Sequence, residues 1–399
     1  MLKYFLLLWT CIFTLFHLIK AQPSTKFNYL SEIKSGNVEN TLTSSNNSNS
    51  LMFDDLTIEM RISELNFQTP INLDYNENVN KYIRYLVNER KEVITQSLSN
   101  SSYYFPIFET YLDKYHLPME LKYLSVIESG LNPFARSKSG AVGLWQFLLP
   151  TAQLLNLKIN SFVDERQDPI KSTEAACNYL EYLYNMFNDW QLAIAAYNGG
   201  PGNVKNAMLR SGKNTFWEIK PYLSKETQNY VPAFIAMVYL MNYASDYQIQ
   251  PGDKNFYYHQ IDTVLISKPI YFSTLSQKLN IPLDVIRFLN PAYKQDYIPK
   301  MQSAVALVLP SEKIPTFIQL QNEILSNEFP NQEQLNARNL KKATSYTVKK
   351  GDYLTKLAID FRCSPDDIKK WNNLKSNDLT TGSTLILWTP SDIQNTIIQ

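Results

Sequence analysis

The middle of the chain carries apolar residues at helical spacing. Between residues 76 and 98 the apolar positions recur three and four residues apart, with charged residues between them. The same spacing returns over 104–115 and again over 119–128, where Gly130 ends the helix. Further helices are predicted over 149–157, 169–188, 190–197, 201–210 and 226–244. Few stretches alternate with a period of two, so we predict that the block 56–250 is mainly α.

After residue 252 the pattern changes to short strands and short helices. It predicts a strand over 264–266, helices over 274–279 and 283–289, and a strand over 304–309. The same βααβ order returns as a strand over 345–348, helices from Leu354 and Pro365, and a strand over 384–387. We interpret the two units as an internal repeat, of which the first is degenerate. A polar spacer over 312–343 separates them.

The N-terminus resembles a signal peptide. An apolar stretch from Tyr4 to Ile19 follows Lys3, and Ala21 is a small residue suited to a cleavage site. The alternative is a membrane anchor, although a spanning helix needs roughly 20 apolar residues. Cys11 does not resemble a lipoprotein cysteine, which needs a small residue before it. Residues 36–50 are rich in Ser and Asn and are predicted to form part of a disordered linker.

Composition excludes some partners. The formal net charge of +1 argues against a nucleic-acid partner, since phosphate backbones attract clustered positive charge. The 26 tyrosines suit sugar faces, although most such rings pack in cores.

Cys177 and Cys363 fall in different predicted domains and form no disulfide framework. The three histidines are scattered and no phosphate-binding glycine loop is present, so we predict neither a metal nor a cofactor.

Glu128 is the candidate for acid–base chemistry. Breaking a glycosidic bond requires an acid that protonates the leaving oxygen. Glu128 follows an apolar run and lies in the last turn of a predicted helix, and both features favour the protonated carboxyl. The alternative is a surface glutamate near a helix end.

Several motifs agree in order and spacing with a known family. They are Glu128-Ser129, Ser137, Gly143-Leu144-Trp145-Gln146, Ala196-Tyr197-Asn198, and Glu226-Thr227 with Tyr230-Val231-Pro232. Together they resemble the signature of the family 1 lytic transglycosylases over about 70–250, and most closely the membrane-bound type D subgroup. Trp145 departs from the methionine of the family's Gly-Leu-Met-Gln, although an aromatic there is associated with type D. The C-terminal unit resembles a LysM domain through Tyr346–Leu354 and Ile368–Leu374, with Asp-Tyr-Leu for Asp-Thr-Leu.

The resemblance implies a fold, a reaction and a set of site residues. The fold would be a mainly α, lysozyme-like (α+β) catalytic domain followed by small βααβ LysM-type domains. Glu128 would act as single general acid and base, and would cleave the MurNAc-GlcNAc bond of peptidoglycan without water to give a 1,6-anhydro end. The substrate-binding set would be Ser137 on the muramyl side, Gln146, Tyr197, Asn198 and Tyr230. Within it, Tyr197 would hydrogen-bond Glu128, Asn198 would hold the shape of the site, and Tyr230 is expected in the core.

Two other functions stay open. A hydrolytic muramidase would need a second carboxyl, for which Asp164, Glu165 and Asp168 are candidates, although they could instead cap the following helix. A non-catalytic wall-binding scaffold is the alternative from another class. The LysM-type units would bind N-acetylglucosamine-containing chains or serve only as packing domains. For the first unit, which keeps only the skeleton, sugar binding is in question.

These observations define an organisation for the whole chain. The predicted segments are a signal peptide (1–21), a disordered linker (22–55), a catalytic domain (56–250), a degenerate LysM-like domain (251–311), a linker (312–343) and a LysM domain (344–390). The protein is expected to cross the inner membrane and to act on glycan strands in the periplasm or cell envelope. Association with the cell wall or outer membrane is compatible with this organisation, and the sequence does not determine the oligomeric state.

Overall fold

The computed structural model describes residues 53–252, 256–300, 303–325, 342–349, 352–361, 363 and 365–389. The predicted signal peptide and nearly all of the N-terminal linker lie outside these residues. Among the helices of the described part, none is both long and apolar enough to span a bilayer.

The first unit is helical, as the spacing of apolar residues predicts. Its helices are α1 (Asp55–Asn66), α2 (Glu77–Glu89), α3 (Lys91–Lys114), α4 (Lys122–Ser129), α5 (Leu149–Leu154), α6 (Pro169–Phe187), α7 (Trp190–Gly199), α8 (Pro201–Ser211), α9 (Phe216–Ile219) and α10 (Lys225–Tyr243). Helices α1 and α9 were not predicted, and α5 ends three residues before its predicted end. The largest difference in bounds concerns α2 and α3. The helix expected over 76–98 is interrupted at Arg90, whose φ of −141° is not helical, and α3 then continues past Pro106 to Lys114.

Helix α10 is the centre of this unit. Every residue from Tyr230 to Leu240 is buried, because α2, α4 and α7 pack around the helix. A helix that is apolar on all sides is typical of a domain interior. The packing brings Tyr230 against α4, the helix that carries Glu128.

Helix α4 is short and ends sharply. A 3₁₀ turn over Met119–Leu121 precedes it, and Gly130 follows it with a φ of 60°. The Gly130 N–H donates to the carbonyl of Val126 at 2.8 Å, which closes the last turn. Glu128 is therefore held in the final turn, next to an irregular segment that runs from residue 131 to 148.

The second unit has the predicted βααβ order. Strand β1 (Ile261–Ile266) pairs antiparallel with β4 (Val305–Pro310), with Ile261 opposite Pro310. A smaller pair, β2 (Ile270–Tyr271) with β3 (Tyr297–Ile298), flanks helices α11 (Phe272–Leu279) and α12 (Leu283–Leu289).

The spacer predicted over 312–343 is wrong in its first part. Residues Ile314–Ile324 form helix α13, whose Phe317 and Ile324 are buried in the core of the second unit. Their spacing, with Leu320 between them, was the available signal, but the polar residues around them obscured it. Most of the remaining spacer, 326–341, lies outside the described residues.

The third unit repeats the same order around a core of its own. Strand β5 (Lys342–Thr347) pairs antiparallel with β6 (Thr384–Thr389), and helices α14 (Leu354–Asp360) and α15 (Pro365–Asn372) lie between them in sequence. Its buried apolar residues form a cluster separate from those of the other units.

Candidate active site

Glu128 and Tyr230 form a buried pair at the contact between α4 and α10. Glu128 is 6% exposed and Tyr230 is 1% exposed. The Tyr230 hydroxyl donates to Oε1 of Glu128 at 2.5 Å. Burial, and then the Glu128 charge, raises the pKa of Tyr230 well above its ordinary value, so the hydroxyl keeps the proton that it donates. The candidate acid is thus held in one orientation by a neutral donor.

Tyr197 does not make the hydrogen bond to Glu128 that was expected of it. Its hydroxyl donates to the carbonyl of Trp145 at 2.8 Å, and a hydroxyl has only one proton to give. The donor to Glu128 is Tyr230 instead. Burial of the hydroxyl, and then the nearby Glu128 charge, raises the pKa of Tyr197 well above its ordinary value. Tyr197 therefore joins α7 to the segment that contains the Gly-Leu-Trp-Gln motif.

Two serines of α4 fix that segment from the other side. The hydroxyls of Ser125 and Ser129 both donate to the carbonyl of Leu144, each at 2.9 Å. Ser125 was not among the predicted site residues. The signal that could have found it is a small hydroxyl one turn before Ser129, inside an otherwise apolar run.

Gly143 occupies a position that only glycine fits. Its φ is +90°, and a Cβ atom there would lie 1.9 Å from the carbonyl oxygen of Arg166. The motif's glycine thus allows the two backbones to touch.

Gln146 offers an acceptor to a ligand. Its amide nitrogen donates to the carbonyls of Gly143 at 2.8 Å and Ala135 at 3.2 Å. Its Oε1 accepts no hydrogen bond from the residues that the structure describes. The half-buried side chain can therefore accept from a sugar hydroxyl or an N-acetyl N–H.

Asn198 connects α7 to the start of α10. Its Nδ2 donates to Oε1 of Glu226 at 3.2 Å, and its Oδ1 accepts from the Thr227 hydroxyl at 2.9 Å. Gly199 permits this approach, since a Cβ there would lie 2.6 Å from the Thr227 hydroxyl. These contacts agree with a residue that maintains the shape of the site.

Ser137 lies in an exposed turn. Its hydroxyl accepts from the Ala141 N–H at 2.9 Å and lies 3.0 Å from the Ser139 hydroxyl. The turn lines a cavity of about 190 Å³. The other residues lining this cavity include Arg136, Lys138, Arg166 and Lys294, together with Ala358 and Cys363 of the third unit.

Trp145 is a core residue. It is fully buried, its Nε1 donates to the Thr173 hydroxyl at 2.9 Å, and its ring centroid lies 5.0 Å from that of Phe108. The aromatic residue at this motif position therefore packs inside the domain and offers no surface to a sugar.

The candidates for a second catalytic carboxyl all have structural partners. Asp164 is 1% exposed and forms two hydrogen bonds with the Arg166 guanidinium, at 2.8 and 2.9 Å. Burial alone would raise the pKa of Asp164, but the Arg166 contact outweighs it and holds that pKa below its usual range. Glu165 accepts from the Lys158 N–H at 2.7 Å, and Asp168 caps α6 through two backbone N–H groups at 2.9 Å. The capping role expected for Asp168 is confirmed.

Family models match a part of each of the three units. The Transglycosylase SLT domain matches residues 105–220, which include every candidate site residue except Tyr230. The Lytic transglycosylase MltD, LysM-like domain matches residues 260–326, and the LysM domain matches residues 346–388.

The chain is also similar to individual proteins. The chain is 28% identical over 340 residues to Membrane-bound lytic murein transglycosylase D of Escherichia coli (strain K12), covering 83% of this chain and 72% of the relative. It is 44% identical over 100 residues to the Putative tributyltin chloride resistance protein of Alteromonas sp. (strain M-1), covering 25% of this chain and 48% of the relative. Among solved structures, the 70 kDa soluble lytic transglycosylase of Escherichia coli aligns at 19% identity with a TM-score of 0.32, covering 58% of this chain and 39% of that one.

Proposed function

We propose that Glu128 is the single general acid and base of this chain, which is a lytic transglycosylase of the SLT and MltD type with LysM peptidoglycan-binding domains. The proposed substrate bond is the β-1,4 bond between MurNAc and GlcNAc in peptidoglycan glycan strands. The observation that carries the proposal is the buried Glu128 carboxylate, which accepts from the Tyr230 hydroxyl beside the segment that contains Gln146.

The reaction proceeds in two proton transfers through the same carboxyl. Glu128 protonates the glycosidic oxygen, which leaves with the bonding electron pair, while the substrate's N-acetyl group stabilises the oxocarbenium-like centre. The Glu128 carboxylate then takes the proton of the muramyl 6-hydroxyl. That oxygen bonds to the anomeric carbon and closes a 1,6-anhydro ring. Water is not consumed.

The other site residues orient the acid and the substrate. Tyr230 positions Glu128, and its burial argues that it acts through the carboxyl without touching sugar. Gln146 presents its Oε1 to the substrate, and Ser137 lies on the muramyl side. Tyr197 and Asn198 maintain the geometry through their bonds to Trp145 and Thr227.

The test combines a variant with the mass of the product. Glu128→Gln keeps size and polarity but cannot transfer the proton, so activity on purified sacculi should fall by about 10²–10⁴-fold. The matched control is Glu181→Gln, at an exposed position on α6, which should retain wild-type activity. A Glu128→Gln protein that clears sacculi at nearly the wild-type rate would contradict the single-acid mechanism.

Product mass separates this function from its rivals. A transglycosylase product is lighter by one water at its new end than the product of a muramidase. Products with the hydrated mass would establish hydrolysis, and the absence of any product from the wild type would favour a non-catalytic scaffold. The engagement of Asp164 and Asp168 in structural contacts supports the non-hydrolytic reaction.

We also propose where the reaction takes place and how the chain is divided. Residues 1–21 would direct secretion, and the enzyme would act in the periplasm or cell envelope, as the name of its membrane-bound murein relative suggests. A catalytic domain over 56–250 would be followed by a LysM-like domain that extends to about residue 325, and the LysM domain over 344–390 would bind glycan.

A further inference from the structure

The LysM-like domain shares an apolar contact with the catalytic domain. Leu289, at the end of α12, belongs to the hydrophobic core cluster of the catalytic domain. The ring centroid of the neighbouring Phe288 lies 5.4 Å from that of Tyr103 and 6.3 Å from that of Tyr104, both on α3. Leu289 is buried and Phe288 is partly buried at this contact, so the two domains are not linked merely by a connecting chain.

A row of hydrogen bonds continues this contact beyond α12. Residues 290–298, the docking segment, lie beside residues 159–166 of the catalytic domain, the clamp segment. The bonds run from the Asp164 N–H to the Ala292 carbonyl (2.9 Å), from the Lys294 N–H to the Phe162 carbonyl (2.8 Å), from Lys294 Nζ to the Asn160 carbonyl (2.9 Å) and from Gln295 Nε2 to the Ser161 carbonyl (2.8 Å). Val163 and Tyr293 form an antiparallel bridge between the segments. The two main-chain bonds on either side of this pair are those of a single antiparallel β-bridge.

The clamp segment in turn holds both ends of the loop that carries the Gly-Leu-Trp-Gln motif. Arg166 is 5% exposed, and its Nη1 donates to the carbonyls of Gly140 and Phe147, each at 3.2 Å. Asp164 fixes the guanidinium through its two hydrogen bonds. We call residues 140–147 the catalytic loop. One guanidinium nitrogen therefore holds the two ends of this loop near each other.

The catalytic loop is also bonded to the helix of Glu128. The Leu144 carbonyl accepts from Ser125 and Ser129 of α4. The loop therefore lies between α4 on one side and Arg166 on the other, and a displacement of the clamp segment would be transmitted to the surroundings of Glu128. Even a small displacement matters at a catalytic site, because a misplacement of a reacting group by about 1 Å can lower the rate about 10²-fold.

We propose that the LysM-like domain is a brace for the catalytic loop, and that Lys294 and Gln295 are positioning residues which act through the clamp segment. The LysM domain supplies a contrast. Between its second helix and its last strand, residues 373–383 are mainly exposed, whereas Ala292 of the docking segment is buried and the ring centroid of Tyr297 lies 5.9 Å from that of Phe162 in the clamp segment. The same position in the repeat thus faces solvent in one copy and the catalytic domain in the other.

The experiment compares two double variants of the full-length protein. Lys294→Ala/Gln295→Ala removes both side-chain bonds to the clamp segment. Gln277→Ala/Lys278→Ala removes the same two residue types from an exposed position on α11, where Lys278 pairs only with Glu323 of the same domain among the described residues. Three quantities are measured, namely turnover of a short soluble muroglycan, amide hydrogen exchange in the catalytic loop, and retention on insoluble peptidoglycan.

The brace predicts a specific pattern. The 294/295 variant should lose about tenfold or more in kcat. Its amide exchange in residues 140–147 should accelerate, while retention on peptidoglycan stays unchanged. The 277/278 variant should resemble the wild type in all three quantities. Wild-type kcat and wild-type loop exchange in the 294/295 variant would overturn the proposal. So would reduced retention with normal turnover, because the docking segment would then be a glycan-binding surface.

A second variant covers the case in which the LysM-like domain unfolds. If exchange in the 294/295 variant also rises across β1 and β4, Arg166→Lys replaces it. That variant keeps the charge but loses the fork that reaches Gly140 and Phe147. It should accelerate exchange in the catalytic loop without affecting β1 and β4, and an unchanged loop would overturn the proposal. Only the turnover measurement rests on the proposed function, and inactive Glu128→Gln beside an active wild type tests that function separately.

Discussion

Tyr230 shows what a single hydroxyl contributes at this site. The residue lies 102 positions after Glu128 in the chain, yet its hydroxyl is the group that donates to the carboxylate. Both Tyr197 and Tyr230 follow helical patterns, and nothing in the sequence says which of the two reaches Glu128. That choice depends on how α7 and α10 pack against α4, which is a property of the tertiary structure.

Removing this hydroxyl should impair catalysis while the fold is preserved. Tyr230→Phe keeps the buried ring and deletes a hydrogen bond to a charged group, which contributes about 1.5–3 kcal/mol. We expect kcat on a soluble muroglycan to fall by about 10- to 100-fold. Tyr182→Phe is the matched control, since Tyr182 is exposed on α6. Equal rates for wild type and Tyr230→Phe would show that the bond does not position the acid.

Gly143 is a residue whose backbone conformation and surroundings tolerate no side chain. Gly143→Ala combines a strained φ with a clash against the Arg166 carbonyl, so we expect a loss of about 3 kcal/mol or more in the free energy of unfolding. Gly202→Ala is the control, because a Cβ there meets nothing within 4 Å. Urea unfolding measures both variants. A Gly143→Ala protein as stable as Gly202→Ala would mean that the loop does not approach Arg166 as described.

At the level of elements, periodicity was a good guide where the apolar face of a helix is continuous. It predicted α6, whose buried positions recur at three and four residues, to within about two residues at each end. The predicted bounds of α7 and α10 are equally close, although their buried positions run consecutively over 190–196 and 230–240. Periodicity failed for α13, where five apolar residues besides Pro315 are spread among polar ones. Periodicity gave no prediction for the irregular catalytic loop. The conformation of that loop depends on hydrogen bonds from Arg166 and Ser129 and not on a repeating pattern.

The pair of Asp164 and Arg166 in the clamp segment should make the free energy of unfolding depend on pH at acidic pH. Asp164 has a lowered pKa in the folded protein, whereas an unfolded aspartate titrates near about 3.9. Its contribution to stability is therefore fully present above about pH 4 and is lost as the pH falls through the folded pKa. Asp164→Asn leaves Arg166 buried without its counter-ion, which should cost about 3–5 kcal/mol at pH 7.

Urea unfolding at several pH values tests this response. The stability difference between wild type and Asp164→Asn should be constant from pH 5 to pH 7 and should shrink below about pH 4. Asp113→Asn, an exposed position on α3, serves as the control and should differ little from the wild type at pH 7. A difference between wild type and Asp164→Asn that stays constant down to pH 2 would contradict the assignment.

For the molecule as a whole, most buried apolar residues of the described chain belong to one of three clusters. The first cluster includes Leu289, so the LysM-like domain shares part of the catalytic core. The cluster of the LysM domain is separate from both others. The repeat was visible in the sequence, but the different attachment of its two copies was not. That attachment depends on the packing of α12 and on main-chain and side-chain hydrogen bonds of the docking segment, which arise only in the tertiary structure.

This difference predicts how the enzyme responds to loss of the LysM domain. Deleting 344–399 removes a domain with its own core and leaves the catalytic and LysM-like cores complete. Tethering raises the effective concentration of an enzyme on an insoluble polymer and does not alter bond cleavage. The deletion should therefore weaken pull-down on sacculi and slow their digestion, while turnover of short soluble fragments changes by less than about twofold.

Full-length Glu128→Gln provides the binding control, since it should be retained on sacculi like the wild type although it cannot digest them. Ala358 and Cys363 line the cavity beside Ser137, so the alternative is that the LysM domain supports the catalytic site directly. An equal loss of activity on sacculi and on soluble fragments would favour that alternative. A loss of activity confined to sacculi would assign the LysM domain to anchoring. Of the two repeat copies, catalysis would then depend on the docked LysM-like domain.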